Sequence, residues 1–125
     1  MRSGIKVNKN NMSAVAHKHL ENMGFSEKEA KVYMTCLKNG ACTVKKLSED
    51  CGVKRPTTYV MLKSLMEKEL VELVKRGKKT YFLAAHPQAL QKHIARERQA
   101  LDRKEAVLAE LLPILTPYMA ETETA

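Results

Sequence analysis

The sequence predicts a mainly α fold with one small β-hairpin: a winged helix-turn-helix followed by a long helix. First, within residues 43–84, TVKKLSEDCGVKRPTTYVMLKSLMEKELVELVKRGKKTYFLA, two short helical patterns meet at Gly52. Leu47 and Cys51 stand four apart on one face of the first, Ser48 is small where the helices cross, and Val53 plugs the corner from inside. Second, the β-prone runs 71–75 and 80–84 flank Arg76-Gly77-Lys78-Lys79, where Gly77 supplies the positive φ of a hairpin turn. Third, residues 88–112 contain no Gly or Pro and are rich in Ala, Leu, Glu, Lys and Arg, so they read as one long helix, ended by Pro113 and Pro117.

Taken in order, residues 1–12 are polar and rich in Asn and Lys, the composition of a flexible basic arm. Residues 13–23 carry Val15, Leu20 and Met23 among polar residues and form a first helix ended by Gly24. Ser26-Glu27-Lys28-Glu29 is a capping box: the Ser26 hydroxyl accepts from the Glu29 amide, and the Glu29 carboxylate reaches back. The helix it starts buries Ala30, Tyr33, Met34 and Leu37 and stops at Asn39-Gly40. Thr43 caps the third helix, and Pro56 suits the first turn of the fourth, where no amide partner is needed. The expected organisation is an arm (1–12), a winged domain (13–86), a dimerisation helix (87–117) and a tail (118–125), without internal repeats.

A chain of 125 residues with 44% hydrophobic content supports one domain with a modest core rather than a deep enzyme cavity. Its net charge of +8 and pI near 9.5 favour a polyanionic partner, since Lys and Arg that neutralise phosphates release condensed counterions. The charge is concentrated around the motif: residues 45–79 hold ten Lys or Arg against five Asp or Glu, and residues 1–12 hold three bases and no acid. No run of 18 apolar residues exists and the start lacks the apolar core of a signal peptide, which predicts a cytoplasmic, nucleoid-associated protein with no membrane partner. Cys36, Cys42 and Cys51 are odd in number and none are in C-x-x-C spacing, so buried thiols are expected rather than a disulfide framework or zinc knuckle.

The fourth helix buries Thr58, Met61, Leu62 and Leu65, an i, i+3, i+4, i+7 stripe that turns Arg55, Pro56, Thr57, Tyr59, Val60 and Lys63 outward. That face contains no acid. With Lys45, Lys54 and the wing residues Lys75, Arg76, Lys78 and Lys79 it forms the candidate surface for double-stranded DNA. Arg55 can fork onto guanine or clamp a phosphate, Thr57 and Tyr59 can bond to phosphate or base edges, and wing lysines suit backbone or minor groove. In the last helix Ile94, Leu101, Leu108 and Leu115 repeat every seven residues, with Leu90 and Leu111 on the adjacent line and the charged Glu97 and Lys104 between them. This is read as a short helix pair between two copies of the chain, with packing onto its own domain as the alternative.

At Ser26-Glu27-Lys28-Glu29-Ala30-Lys31-Val32-Tyr33, Val53-Lys54-Arg55-Pro56-Thr57-Thr58-Tyr59 and Leu70-Val71-Glu72 the chain resembles the TrmB-like winged-helix transcription regulators, over about residues 20–87. The resemblance implies that the helix starting at Arg55-Pro56-Thr57 reads DNA, with Arg55, Pro56, Thr57 and Tyr59 facing the major groove, and that the helix after the wing dimerises. There are two departures. Glu69 stands where such proteins usually place the Gly that ends the reading helix, and the chain ends about a dozen residues after its last long helix, where many relatives continue into a sugar-recognising domain. Sugar sensing is therefore not expected, and no pattern specifies a small-molecule effector.

Catalysis is not expected: there is no Gly-rich phosphate loop, no His-Glu-x-x-His and no Gly-x-Ser-x-Gly turn. His86 and His93 lie seven apart without a third ligand, and His17 and His19 point different ways, so no metal or other cofactor is expected. Cys42 and Cys51 bracket the third helix, which leaves a redox switch conceivable. The reading that emerges is a homodimeric, sequence-specific DNA-binding transcription regulator. Its alternatives are an architectural binder of low specificity and a winged-helix protein-interaction module.

Overall fold

The computed structural model describes residues 9–120, so residues 1–8 of the expected arm and residues 121–125 of the tail lie outside the described residues. Five helices and one hairpin follow in the order α1 (Lys9–Asn22), α2 (Glu27–Asn39), α3 (Val44–Cys51), α4 (Arg55–Glu67), β1 (Val71–Arg76), β2 (Lys79–Ala84) and α5 (Ala89–Leu115), with a 3₁₀ turn at Thr116–Tyr118. The chain divides into two compact units, Met1–Ala89 and Leu90–Ala125.

In the first unit α1 begins at Lys9, four residues before the start expected at Ser13, and of its three apolar candidates only Leu20 is buried. Gly24 turns it off with positive φ, and the Phe25 amide bonds back to the Leu20 carbonyl at 3.1 Å, which brings both side chains into the core. Ser26 caps α2 as expected, its hydroxyl accepting from the Glu29 amide at 3.0 Å. The expected stripe on α2 is too narrow. Val32 and Cys36 are fully buried while Met34 and Leu37 are only half-buried, because α2 is the central helix, touching α1, α3, α4 and β2, and it buries more than one face.

Glu29 departs from the capping box more sharply. Its carboxylate turns inward, 5% exposed, and Oε2 accepts from the Ser64 hydroxyl at 2.6 Å and the Lys68 ammonium at 2.9 Å. A charged residue of α2 thereby pins the C-terminal part of α4, and Lys68 also lies 5.6 Å from the centroid of the Phe25 ring.

The helix-turn-helix corner forms as its residues dictate. Gly52 is left-handed at φ 72°, ψ 21°, and its amide bonds to the Ser48 carbonyl; Leu47 and Val53 are buried on the inside. Thr58, Leu62 and Leu65 of α4 are fully buried and Met61 is half-buried, with the Thr58 hydroxyl donating to the Val53 carbonyl at 3.1 Å. The exit from α4 is a Schellman turn closed by Glu69 at φ 61°: the Leu70 amide bonds to the Leu65 carbonyl and the Glu69 amide to the Met66 carbonyl, each at 2.9 Å. The non-glycine exit therefore leaves β1 starting at Val71.

β1 and β2 pair antiparallel, Val71 opposite Ala84 through Arg76 opposite Lys79, which leaves a two-residue loop of Gly77 and Lys78. Positive φ at Gly77 and not at Lys78 is the pattern of a type II′ turn. Cys42 adds a short third rung, exchanging two backbone hydrogen bonds with Phe82 and tying the hairpin to the segment before α3. In the second unit, α5 runs through Pro113 to Leu115 rather than ending at Leu112. Pro113 removes one amide close to the helix end, and the helix leaves through the 3₁₀ turn that contains Pro117, with the Thr116 hydroxyl bonded to the Leu112 carbonyl at 2.7 Å.

Candidate nucleic-acid interface

Burial of Thr58, Leu62 and Leu65 sets the rotation of α4. Arg55, Pro56, Tyr59, Val60 and Lys63 are exposed, and Thr57 is half-buried at the edge. Among the described residues the N-cap of α4, Lys54, makes no side-chain cap hydrogen bond, and Pro56 stands in the first turn, so the positive end of the helix dipole lies beside this surface.

The strand pleat places Leu73, Lys75, Thr80 and Phe82 on one face of the hairpin, since Leu73 pairs with Phe82 and Lys75 with Thr80. Phe82 lies in the core, whereas Leu73 is 45% exposed. Beyond the core this face becomes one wall of a cleft of about 610 Å³, whose other walls are Thr43, Val44 and Lys45 of α3 and its cap, and Arg55 and Tyr59 of α4. Lys45, Arg55, Lys75 and Lys79 give the cleft four cations and no acid. On the other side of the α4 N-terminus a second cleft, about 440 Å³, is lined by Glu27, Lys28 and Lys31 of α2 together with Gly52, Val53, Lys54 and Thr57. The start of α4 thus sits between two basic clefts. At the hairpin tip Arg76 stacks 5.5 Å from the Tyr81 ring centroid, which holds one guanidinium against the hairpin.

The thiols are placed for packing. Burial pushes Cys36 up to about 12, with Cys42 adding to the rise, and burial also raises Cys42. Neither sulfur carries thiolate character near neutrality. Cys51 is half-buried, its thiol 3.9 Å from the Ser48 carbonyl. The Tyr33 hydroxyl is buried with no hydrogen-bond partner among the described residues, and burial raises its pKa. Among the described residues no group of three or more His, Cys, Asp or Glu could hold a metal ion. His86 instead caps α5: its Nδ1 accepts from the Gln88 amide at 3.0 Å and its carbonyl from the Ala89 amide at 2.8 Å. No helix among the described residues is long and apolar enough to cross a membrane.

Residues 20–88 match the sequence model of one protein family, described as "Sugar-specific transcriptional regulator TrmB". The chain belongs to the TrmB family. Among solved structures, this TrmB-family chain is similar to TrmBL2, described as an archaeal chromatin protein that shows a novel mode of DNA binding. The two are 27% identical at a TM-score of 0.58, over 94% of this chain and 45% of TrmBL2, so the chain spans less than half the length of that protein. The fold is also shared with a possible transcriptional regulator from Methanosarcina mazei Go1 (15% identity, TM-score 0.56, 90% of this chain and 96% of that one). A MarR-family regulator from Silicibacter pomeroyi shares it as well (16%, 0.51, 90% and 85%). No curated protein matches the sequence. The family is described as one of transcriptional regulators.

Within this TrmB-family frame the expected site residues separate into groups. Arg55, Tyr59, Lys45 and Lys79 come together around the first cleft, and Lys54 and Thr57 border the second. Pro56, Val60 and Lys63 lie on the open face between them, and Arg76 and Lys78 are exposed at the hairpin tip. Lys28 and Lys31 were missed as members of this surface. They stand three apart on the exposed side of α2, a signal visible in the sequence, but only the tertiary fold brings them beside Lys54. On α5, Ile94, Leu101, Leu108, Leu111 and Leu115 are exposed large apolar residues, and Leu90 is half-buried.

Proposed function

We propose that this chain is a homodimeric transcription regulator that binds double-stranded DNA sequence-specifically, placing the outer face of α4 in the major groove and the hairpin tip on the flanking backbone. The observation that carries the reading is the outer face of α4 from Arg55 to Lys63, which holds no acid and is bordered by a cleft with four cations and by a second holding Lys28, Lys31 and Lys54. Lys45, Lys54, Lys75, Lys78 and Lys79 are point charges on flexible stems, suited to phosphates that fix register, while Arg55, Thr57 and Tyr59 lie near enough to the groove for base edges. Family membership supports DNA as the partner, and with it a place on the cytoplasmic nucleoid. No small-molecule effector is assigned.

The dimer is proposed through α5. Leu101 is 59% exposed and shares a face with Ile94, Leu108 and Leu115, and Leu111 joins Val107 and Leu108 around an apolar hollow of about 430 Å³. Removing such a row from water between two copies is the driving force, while Glu97 and Lys104 set its register. Two copies would present two reading helices to two half-sites.

A second reading, an architectural DNA binder, is favoured by the 27% identity to a chromatin protein. Competition between promoter fragments recovered by genome-wide capture and bulk DNA, at one fixed salt concentration, separates the two, because only specific readout survives excess competitor. Loss of the complex to bulk DNA would support the architectural reading. Failure to bind either DNA would leave a protein-interaction module.

A further inference from the structure

The outer face of α4 has a chemically unusual centre. At about 100° per residue, the direction opposite the buried Thr58, Leu62 and Leu65 falls within roughly 15° of Val60 and 25° of Pro56. Thr57 and Tyr59 stand some 80° to either side, and Arg55 lies farther round, where it lines the cleft beside the hairpin. Thus in the first two turns of α4, residues 55–61, the hydrogen-bonding groups occupy the flanks and the centre is carbon, while the exposed Lys63 and Glu67 continue the same face towards the C-terminus. Val60 is 56% exposed, and Pro56, also exposed, has no amide to offer.

An apolar side chain in the major groove meets only one complementary base feature. The purines present N7 with O6 or N6, and cytosine presents N4; each of these loses water against carbon without gaining a bond. Thymine presents its C5-methyl group, whose burial against carbon is favourable. We propose that Val60, supported by Pro56, is a specificity-determining residue that reads thymine methyl groups, so that preferred sites carry thymine under the middle of each α4. This inference rests on the DNA-binding reading above and deepens it by naming the base feature recognised.

The test uses the full chain and a duplex enriched by it from a random-sequence library, compared with the same duplex in which every thymine is replaced by deoxyuridine. Base pairing and charge are unchanged, and only the methyl groups are lost. Wild type is expected to bind the uracil duplex about fourfold more weakly per contacted methyl, the equivalent of one buried carbon, and roughly 15-fold more weakly for a dimer on two half-sites. Val60→Ala is expected to lower affinity for the thymine duplex and to shrink the thymine-to-uracil ratio towards one. The ratio of ratios cancels any difference in shape between the two DNAs. Lys78→Ala/Lys79→Ala is expected to weaken both duplexes and keep the wild-type ratio. Equal binding of both duplexes by wild type, a full ratio retained in Val60→Ala, or a library that yields no thymine-bearing site would each overturn the inference while leaving DNA binding intact. Absence of binding to any DNA would refute the underlying reading instead. Because Val60 makes little core contact, thermal unfolding of Val60→Ala should match wild type and certify that a lost ratio reflects recognition.

Discussion

The Glu29–Ser64–Lys68 cluster leads to an asymmetric mutational prediction. Glu29 is 5% exposed, whereas the Lys68 side chain is 27% exposed, so the two ends of the ion pair have different access to water. Lys68→Met removes the cation 2.9 Å from Oε2 and leaves a buried carboxylate held by the Ser64 hydroxyl at 2.6 Å. Breaking a fully buried pair in this way costs about 3–5 kcal/mol, and partial access of water to the vacated site lowers that to roughly 2–3 kcal/mol. Glu29→Gln conserves shape, keeps an acceptor for Ser64 and leaves an ammonium that can hydrate, so it should cost about 1 kcal/mol. For a unit of this size the difference corresponds to roughly 5–15 °C in Tm. Urea unfolding of both variants and of the double variant measures it, and the double variant should be less damaged than the sum of the two singles. Equal losses from the two single variants, or less than about 1 kcal/mol from Lys68→Met, would refute the reasoning that the buried carboxylate dominates the cost.

Replacing Lys78 and Lys79 with Ala should weaken binding to all DNAs alike and reduce the slope of log K against log salt by about two per hairpin, or up to twice that per dimer; fluorescence anisotropy across a salt series checks it. Leu101→Asp should give folded monomer, because a carboxylate in an apolar seam must be desolvated, and sedimentation reads the outcome. Glu69→Gly should stabilise the chain by about 0.5–1 kcal/mol by relieving a non-glycine residue at φ 61°, seen as a raised urea midpoint. At pH 8 a thiol reagent should titrate at most one of the three cysteines in the native chain and all three after denaturation. Since the folded Cys36 pKa lies above its ordinary value of 9.0, the associated stability is complete below that value and is lost as pH rises towards about 12, so unfolding curves in alkali should show a decline.

The order of elements, the Gly52 corner, the Thr43 and Ser26 caps, the two-strand hairpin and the outward side of α4 were legible in the sequence, because each depends on residues within a few positions of one another: a spacing of three or four, a glycine at positive φ, a hydroxyl three residues before an amide. Where a local rule competed with a distant partner, the local rule failed. Glu29 has the position of a capping-box carboxylate, yet Lys68, 39 residues away, offers a charge that the Ser26 amide cannot match. The stripe on α2 was drawn for a helix with one buried face, and the fold surrounds that helix on several sides. Pro113 reads as a terminator, but so near a helix end the missing amide costs little of the ladder.

By itself, then, the sequence determined the local conformations and which side of each helix is apolar, since sterics, caps and periodicity act over a few residues. Only the tertiary structure decided which charged groups become neighbours: Glu29 with Lys68, Lys28 and Lys31 with Lys54, and Lys45 and Arg55 with Lys75 and Lys79 across a cleft. It also decided that Cys42 pairs with Phe82 and that Val60 stands exposed at the middle of the first two turns of α4. Such contacts join residues far apart in the chain, and their geometry follows from packing the whole core rather than from any segment's own preference.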